Sequence, residues 1–382
     1  MPLIKQNPVY CDDSTLGFGD DIYCRVTTQG GKNTITEFKP QEQSKCERVL
    51  NGTSNSDVAV ILSSKDEACC NALGSIDVNK MELEWYGFGE KNLIWAGPIT
   101  SLDWSIDSVV VNASDNTIWW SARDCDYYSE NKELSDIILD LHNMVMRQEP
   151  INGFSIHKSP VSRSMELEVF SQENTKISDV ISEILAVGID YTVLNRNVIV
   201  GDADLFVSNS SSGYMQTSRT TPFRLEDADM YTAPVISANG IGTGFATRVV
   251  ARGKNDKKVT ITAPYSVIER YGLVSTNIEF PNISSEKALY NAAKSWLTRH
   301  SNPYIINETH TSALRPGSPI PHRALIPGIP ILVESISTCK KFRTLMRLSK
   351  VTTFGSGRVE VSLEPMGEVL EAEVTGTSNS NG

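Results

Sequence analysis

The sequence has little positive charge for its size. Lys and Arg together number 35 against 46 Asp and Glu, which gives a formal net charge of −11 over 382 residues. Proteins that grip DNA hold its phosphates through clustered cations. The charge balance therefore argues against stable nucleic-acid binding, although it is compatible with a duplex that only passes through an assembly.

Long apolar runs and paired cysteine motifs are also missing. No stretch approaches the roughly 20 apolar residues of a membrane helix, and the N-terminus MPLIKQNPVY has no signal-peptide pattern, so we expect no stable membrane insertion. An odd number of cysteines with no CxxC pair argues against a zinc ribbon or a complete disulfide framework. We expect reduced, buried thiols at the seven positions, which are Cys11, Cys24, Cys46, Cys69, Cys70, Cys125 and Cys339.

Recognisable catalytic and cofactor motifs are absent as well. The glycine run Gly240–Gly244 lies between two predicted strands as a hairpin loop, whereas a dinucleotide site needs a strand and then a helix. Five histidines lack metal-ligand spacing, and we expect them on the surface or in loops. Glu82 and Glu84 share one strand face, which we interpret as solvated. We therefore expect no catalytic residue, no cofactor and no metal, and we interpret the chain as non-enzymatic.

What the chain does contain is a pattern of strands at both ends. Hydrophobic residues make up 40% and charged residues only 21%, a balance that favours β structure over helical bundles. Short apolar or alternating runs separated by turn residues predict strands through the first 125 residues. These predicted strands are Asp21–Thr28, Val58–Leu62, Lys80–Tyr86, Leu93–Ile99, Ser108–Ala113 and Thr117–Ser121.

The middle of the chain changes from strand to helix periodicity. Apolar residues recur at helical spacing from Leu134 to Met146 and from Ile177 to Leu185. A hairpin with its turn at Asn195-Arg196 follows. Nearer the C-terminus, a third helix is predicted after the N-cap residue Ser285.

These patterns predict a mainly β fold with α+β insertions, built as two small β-barrel domains and a helix-containing middle domain. We place the first barrel at residues 1–125 and the α+β domain at 126–222, where a polar run at 208–213 marks its end. The second barrel spans 223–365 with a helical insertion around 259–319, and residues 366–382 form a disordered acidic and polar tail.

Three short segments carry a resemblance to a known family. The first contains Trp95, Gly97 and Pro98, followed by Asp115 and by Trp119-Trp120-Ser121-Ala122-Arg123. The second is the hairpin segment 188–201, which begins Gly-Ile-Asp-Tyr-Thr. The third is Leu325-Ile326-Pro327-Gly328 before an apolar strand. In this order the segments resemble the minor tail proteins of siphophages, the tail-hub family.

The resemblance implies a structural protein of the virion. Hub proteins of this kind have two β-barrels with α+β insertions and assemble as homotrimers whose barrels build a pseudo-sixfold ring around the DNA channel. The ring would adapt the sixfold tail tube or distal tail protein to threefold tip or fibre proteins, with the tape-measure protein as a further neighbour. By this resemblance the chain is made in the host cytoplasm and resides at the phage tail tip, and Trp95, Gly97, Pro98, Trp119, Trp120, Pro327 and Gly328 are its candidate structural or interface residues.

An alternative function is suggested by the tryptophans of the N-terminal region. Trp95, Trp104, Trp119 and Trp120 could form a platform for a sugar in a receptor-binding tail-fibre or tip module, although aromatic residues in strands more often serve packing.

Two structural expectations follow for the hub interpretation. Gly97-Pro98 should interrupt a strand at an edge or a bulge, because proline cannot donate to a β-ladder, and Trp85 and Trp95 should lie in the core or at an interface. The basic cluster from Lys254 to Lys258 should form a hairpin tip that points away from a neutral or negative DNA bore.

Overall fold

The structure is a computed structural model of the chain. It describes residues 8–11, 22–62, 67–88, 93–158, 166–170, 175–201, 222–231, 236–238, 240–242, 244–281, 283, 285–306, 312–315, 318, 320–335 and 342–365. The predicted polar run at 208–213 and the predicted disordered tail at 366–382 lie outside the described residues.

Short strands dominate, as the sequence predicts. Among the described residues there are six α-helices, which are α1 (Glu67–Gly74), α2 (Ile118–Ser121), α3 (Leu134–Gln148), α4 (Ile177–Ala186), α5 (Tyr265–Tyr271) and α6 (Glu286–His300). The strands of the first 133 residues are β1 (Val9–Tyr10), β2 (Tyr23–Thr28), β3 (Thr34–Phe38), β4 (Lys45–Val49), β5 (Asn55–Ile61), β6 (Met81–Tyr86), β7 (Leu93–Trp104), β8 (Ser108–Ser114), β9 (Asp124–Cys125) and β10 (Tyr128–Glu133).

The remaining strands cover the middle and the C-terminal part. They are β11 (Ser155–Lys158), β12 (Glu166–Phe170), β13 (Thr175–Lys176), β14 (Asp190–Leu194), β15 (Asn197–Gly201), β16 (Phe223–Glu226), β17 (Ile236–Ala238), β18 (Arg248–Gly253), β19 (Lys258–Thr262), β20 (Ser275–Phe280), β21 (Tyr304–Ile306), β22 (Ser312–Ala313), β23 (Pro330–Ser335), β24 (Phe342–Phe354) and β25 (Val359–Pro365).

One sheet of thirteen strands joins the two ends of the chain. Its main path runs β1-β3-β2-β6-β7-β8-β5-β4-β24-β23-β16, and β25 and β22 branch from β24. The joint is the antiparallel pair β4–β24, which extends from Val49 opposite Lys350 to Lys45 opposite Phe354. The described strands leave this sheet open, with β1 and β16 at its two ends, so the mainly β class is confirmed while two separate barrels stay a prediction.

Strand β7 changes its pairing partner halfway along. Its first half pairs with β6 as far as Pro98, and its second half pairs with β8 from Ile99, where a bulge occupies the interval to Ser101. The strand therefore continues through Gly97-Pro98, and the predicted interruption is wrong, although a bulge does follow directly. Proline is tolerated at this point because only the β6 side of the strand is paired there.

The middle of the chain forms a helical layer beside a small sheet. Helices α3 and α4 confirm the two periodic segments, and Gly188 ends the second with a φ of +113°. The hairpin β14–β15 turns at Asn195 with a φ of +59°. Their apolar faces form one core with α6, β18 and β19. Helix α6 begins at the predicted cap, since the Ser285 side chain accepts a hydrogen bond from the backbone N–H of Ala288.

Two predicted elements differ from the structure. The predicted strand Thr117–Ser121 is the short helix α2, because the carboxylate of Asp115 accepts the Thr117 backbone N–H and turns the chain. The run Gly240–Gly244 joins no hairpin, since β17 pairs with β21 while β18 pairs with β19 and β20. The cluster from Lys254 to Lys258 does lie at the turn between β18 and β19.

One pair of cysteines departs from the prediction of reduced thiols. Cys11 and Cys69 form a disulfide that ties the chain after β1 to helix α1 across 58 residues. The sequence spacing carries no signal for this pair, because the two residues meet only when β1 adds to the edge of β3. Cys24, Cys46 and Cys125 are buried thiols as expected, and burial raises the pKa of Cys46 to about 12.

Candidate functional site

Two of the three segments that carry the family resemblance meet at one place, which we call the junction. It comprises the loop 51–54, the Gly97 region of β7, the end of β8 with α2, and the start of β14. Strand β24 packs beside the start of β14. The junction thus connects the N-terminal strands, the helical middle and the C-terminal strands of the fold.

Asp115 organises the N-terminal side of the junction. Its buried carboxylate accepts hydrogen bonds from the backbone N–H of Ser54 at 2.6 Å, and from the backbone N–H and hydroxyl of Thr117 at 2.8 and 2.6 Å. Burial raises the pKa of Asp115, and these hydrogen bonds oppose the shift. Both carboxylate oxygens are hydrogen bonded within the chain, so the carboxylate is a structural cap.

Gly97 is required by a close approach of two backbone segments. A Cβ at this position would lie 1.9 Å from the carbonyl oxygen of Ser114 and 2.8 Å from the Cα of Asp115. The Trp-x-Gly-Pro segment is therefore a packing motif in which only glycine lets β7 pass the end of β8.

Asn51 and Asp190 connect the first loop to the hairpin β14–β15. Asn51 adopts a φ of +59°, its side-chain oxygen accepts the Tyr191 N–H at 2.8 Å, and its own N–H donates to the Tyr191 carbonyl at 3.0 Å. Its amide also donates to the Asp190 carboxylate. The ring of Tyr191 packs edge-on against Trp120 with centroids 5.1 Å apart, so the two resemblance segments touch directly.

Arg347 of β24 completes the junction from the C-terminal side. Its guanidinium donates to Asp190 at 3.1 Å and to Glu364, and the arginine is almost fully buried. Burial alone would lower the pKa of Arg347, but the carboxylates of Asp190 and Glu364 raise it. The buried charge is thus fully compensated, as a buried ion must be.

A cavity of about 320 Å³ adjoins this ion group. The cations at its wall all face carboxylates: Arg299 lies 3.8 Å from Asp190, and Lys350 lies 2.6 Å from Glu47. The balance of charges gives the cavity no preference for an anion or a cation. Its lining residues are Val49, Leu50, Asn51, Arg299, Arg347, Ser349, Lys350, Ser362 and Glu364.

A second buried ion group fastens the hairpin turn to the N-terminal strands. Arg196 donates to Glu82 at 2.7 Å and also to Glu84, and both carboxylates are buried. Glu82 further accepts the Gly30 N–H at 2.9 Å, and Glu84 accepts the Tyr86 hydroxyl at 2.8 Å. Burial raises the pKa of Glu82 against the opposing effect of Arg196.

The prediction of a solvated Glu82 and Glu84 face is therefore wrong. Strand β6 lies between β2 and β7, and the β14–β15 turn covers the face that carries the two glutamates. Sequence reasoning missed Arg196 because it follows Glu82 by 114 residues. Paired carboxylates on a central strand were the available signal for a buried cationic partner.

The four tryptophans that suggested a sugar platform do not share a surface. Trp95 is buried in the core of the N-terminal strands, and its backbone forms an isolated β-bridge with Asn195. Trp120 is buried in the core of the helical middle. Trp119 is partly buried beneath Arg123. Trp104 lies at the far end of β7 and is half exposed.

Pro327 and Gly328 lie away from the junction, in the turn just before β23. Gly328 has a φ of +104°, and its N–H donates to the carbonyl of Leu348 at 2.6 Å. The pair therefore directs the chain from a loop into the strand, as the Leu-x-Pro-Gly segment suggests.

One histidine is buried, which corrects its predicted place on the surface or in a loop. His142 lies in the core face of α3 against Phe154, and burial lowers its pKa to about 4. His322 is partly buried in the connection before β23, where it stacks on Phe88 and shares a hydrogen bond of 2.9 Å with Thr353, and burial lowers its pKa as well.

The described part of the chain shows no group of three or more His, Cys, Asp or Glu side chains that could hold a metal ion. Among the helices described above, none has the length and apolarity to cross a membrane.

Comparison with known proteins finds similarity in structure alone. No family model matches the sequence, and no curated protein is detected as a relative. The fold is similar to a tail protein from Neisseria meningitidis MC58, with a TM-score of 0.60 at 12% identity, covering 90% of this chain and 96% of that one.

Two further solved structures share the fold over almost their whole length. The 43 kDa tail protein of prophage MuSo2 from Shewanella oneidensis has a TM-score of 0.58 at 12% identity, covering 90% of this chain and 98% of that one. Prophage tail protein gp18 from Listeria monocytogenes EGD-e has a TM-score of 0.56 at 12% identity, covering 90% of this chain and 94% of that one. The chain thus shares the fold of these phage tail proteins over about nine tenths of its length.

Proposed function

We propose that the chain is a structural subunit of a phage tail tip, a hub that forms a homotrimeric ring around the DNA channel. The observation that carries the proposal is the shared fold with three phage tail proteins over about nine tenths of this chain. The resemblance to tail hubs rests on three short sequence segments and not on the fold, and it supports the same conclusion.

The way the charges are used favours a structural role over an enzymatic one. Asp115, Asp190, Glu82 and Glu84 are all buried, and each is hydrogen bonded or ion paired within the chain. Such groups fix the relative position of segments, and their oxygen atoms are already engaged within the chain instead of being offered to a substrate. The ring subunit would therefore act as a rigid adaptor and would not catalyse a reaction.

In the proposed assembly the two ends of the chain contribute two barrel-like units to a pseudo-sixfold ring. A distal tail or tail-tube protein would bind one side and tip or fibre proteins the other, with the tape-measure protein as a possible neighbour and the virion tail tip as the location. The joint β4–β24 holds the two ends in one sheet, which suits a subunit that presents two similar surfaces to a sixfold partner. The bore would be neutral to negative so that DNA passes without being held.

Mass measurement in solution tests the proposal. The expected result at micromolar concentration is a particle of three chains of 42.1 kDa each. A monomer that is also absent from purified tail tips would contradict it.

A further inference from the structure

The N-terminal edge of the thirteen-stranded sheet is closed by a strand of two residues. Strand β1 pairs in parallel with β3, with Val9 opposite Thr36 and Tyr10 opposite Glu37, and it ends the main path of the sheet. The Cys11 N–H donates to the Glu37 carbonyl at 2.9 Å, and the Thr36 hydroxyl donates to the Val9 carbonyl at 2.9 Å. So short a strand offers few hydrogen bonds against the conformational entropy that its ordering costs.

A disulfide supports this weak pairing. The bond joins Cys11, directly after β1, to Cys69 of α1 across 58 residues. Helix α1 packs against both β1 and β3, and both cysteines and Leu73 lie in the buried core of the N-terminal strands. A cross-link over so long a loop removes chain entropy that β1 would otherwise lose on docking. The bond therefore fixes β1 at the edge of β3.

The other described cysteines set this pair apart. Cys24, Cys46 and Cys125 are buried thiols, and Cys70, which follows Cys69 on α1, is a partly exposed thiol. Burial raises the pKa of Cys24 and Cys46, which keeps them in the protonated form that does not attack a disulfide. A change of redox state can therefore act on the bond that holds β1 without drawing in these two buried thiols.

We propose that the Cys11–Cys69 pair is a redox latch, which releases β1 from the edge of β3 while both thiols are reduced and locks it there once they are oxidised. The inference rests on the proposed function, because a phage tail subunit is made in the reducing host cytoplasm and works outside the cell. The latch closes when the chain leaves the reducing compartment.

The oxidant is a low-molecular-weight disulfide such as oxidised glutathione. The thiolate of one cysteine displaces one glutathione thiolate and forms a mixed disulfide, and the thiolate of the other cysteine then displaces the second glutathione. Two protein thiols are oxidised to one S–S bond, the glutathione disulfide is reduced to two thiols, and the two thiol protons pass to the products.

The state of the latch decides what the end of the sheet presents to other molecules. With β1 released, the backbone groups of Glu37 that face it have no strand partner on that side, and an open sheet edge is a template for pairing with another chain. With β1 locked in place, that edge is covered. The oxidised subunit is thereby protected from edge-to-edge association outside the cell.

Thiol trapping tests the redox control. Bacteria that produce the full chain are quenched in acid, and their protein is labelled with N-ethylmaleimide in urea, alongside purified protein equilibrated with oxidised glutathione. Mass spectrometry of peptides prepared without reductant should find both Cys11 and Cys69 labelled in the cells and neither labelled after oxidation. A bond already formed in the cells would overturn the redox control, and thiols that stay reduced in oxidised glutathione would overturn the pairing.

Hydrogen exchange followed by mass spectrometry tests the release of β1. Reduction with dithiothreitol should raise the exchange rates of amides in peptides containing Cys11 and Glu37 at least about tenfold. Cys69→Ser should exchange like the reduced chain and should not respond to dithiothreitol. Cys70→Ser changes a neighbouring cysteine that forms no disulfide, so it is the matched control and should follow the wild type in both states. Equal rates in the oxidised and reduced wild type would overturn the latch.

Failure of the latch and failure of the proposed function give different results. Circular dichroism should show the same fold in both redox states, and a general loss of structure on reduction would overturn a local release. Where Cys69→Ser does not fold, the reduced wild type supplies the comparison. A trimer whose β1 ignores reduction would overturn the latch and leave the proposed function standing, whereas a monomer whose β1 is released by reduction would support the latch and count against the trimer.

Discussion

The junction and the turn between β18 and β19 use charge in opposite ways. At the junction and beside it, Arg347 is buried, Arg196 is largely buried, and each contacts two carboxylates. At the β18–β19 turn, Lys254, Lys257 and Lys258 are exposed and form no salt bridge within the described residues. A buried charge must find its partner inside the chain because water cannot solvate it, whereas an exposed charge is free to meet another molecule. The difference separates residues that hold the fold from residues that could build an assembly.

The largest expected effect comes from removing one partner of a buried ion group. Arg196→Met leaves Glu82 and Glu84 buried without their cation, so the free energy of unfolding should fall by about 3–5 kcal/mol. Urea denaturation followed by circular dichroism measures it. Lys258→Met, at the exposed start of β19, is the matched control, and it should change stability by no more than about 0.5 kcal/mol. Equal losses in the two variants would erase the distinction between the regions.

Trp95→Ala should have an effect of similar size without any change in charge. The indole is buried among the N-terminal strands, and its loss removes a large apolar volume that neighbours cannot fill. We expect a loss of about 3–5 kcal/mol. Trp104→Ala, at the half-exposed tip of the same strand, should leave the stability of a single chain nearly unchanged. A stable Trp95→Ala chain would show that the indole serves a partner instead of the core.

The pH dependence of stability extends the comparison to a buried titratable group that has no counter-charge. His142 has an ordinary pKa of 6.5 when unfolded and about 4 when folded, so between these pH values the unfolded chain binds more protons. Stability should therefore fall as pH drops from about 6.5 to 4, by about 3 kcal/mol at the lower end. His142→Leu should remove that part of the pH dependence in thermal melts, while a variant with the wild-type slope would refute the assignment.

Gly97→Ala should have a smaller effect that isolates the backbone contact. The added Cβ would meet the Ser114 carbonyl at 1.9 Å, and the strands must shift to relieve it, at a cost of about 1–3 kcal/mol. Gly74→Ala is the control, since a Cβ there has no atom within 4 Å. The melting temperature of Gly97→Ala should lie clearly below that of Gly74→Ala. If Gly97→Ala has the wild-type melting temperature, the close approach of β7 and β8 does not require glycine.

Local periodicity predicted helices α3, α4 and α6 and the β14–β15 hairpin, because their signals lie within a few residues, whereas the short helices α1 and α5 were not predicted. The apolar spacing of α3 and α4 and the turn at Asn195 needed no information from elsewhere in the chain. Trp119 and Trp120 were predicted as a strand because β-propensity was weighed without the Asp115 cap, which turns the chain into α2.

The candidate site was predictable only in its parts. Gly97, Asp115 and Tyr191 stand out as motif residues, but their meeting depends on Asn51 and Trp120 from other segments. Glu82 and Glu84 carry the same pattern as a solvated strand face, and only the fold shows that Arg196 covers them. Long-range partners of this kind, like Cys69 for Cys11, leave no mark at short spacing.

The central claim is that this chain is a ring subunit at the tip of a phage tail, and a density map of the intact particle tests it most directly. The account predicts three copies around the tail axis and a channel wall free of Lys and Arg clusters. A single copy, a position off the axis on a fibre, or absence from the particle would contradict it.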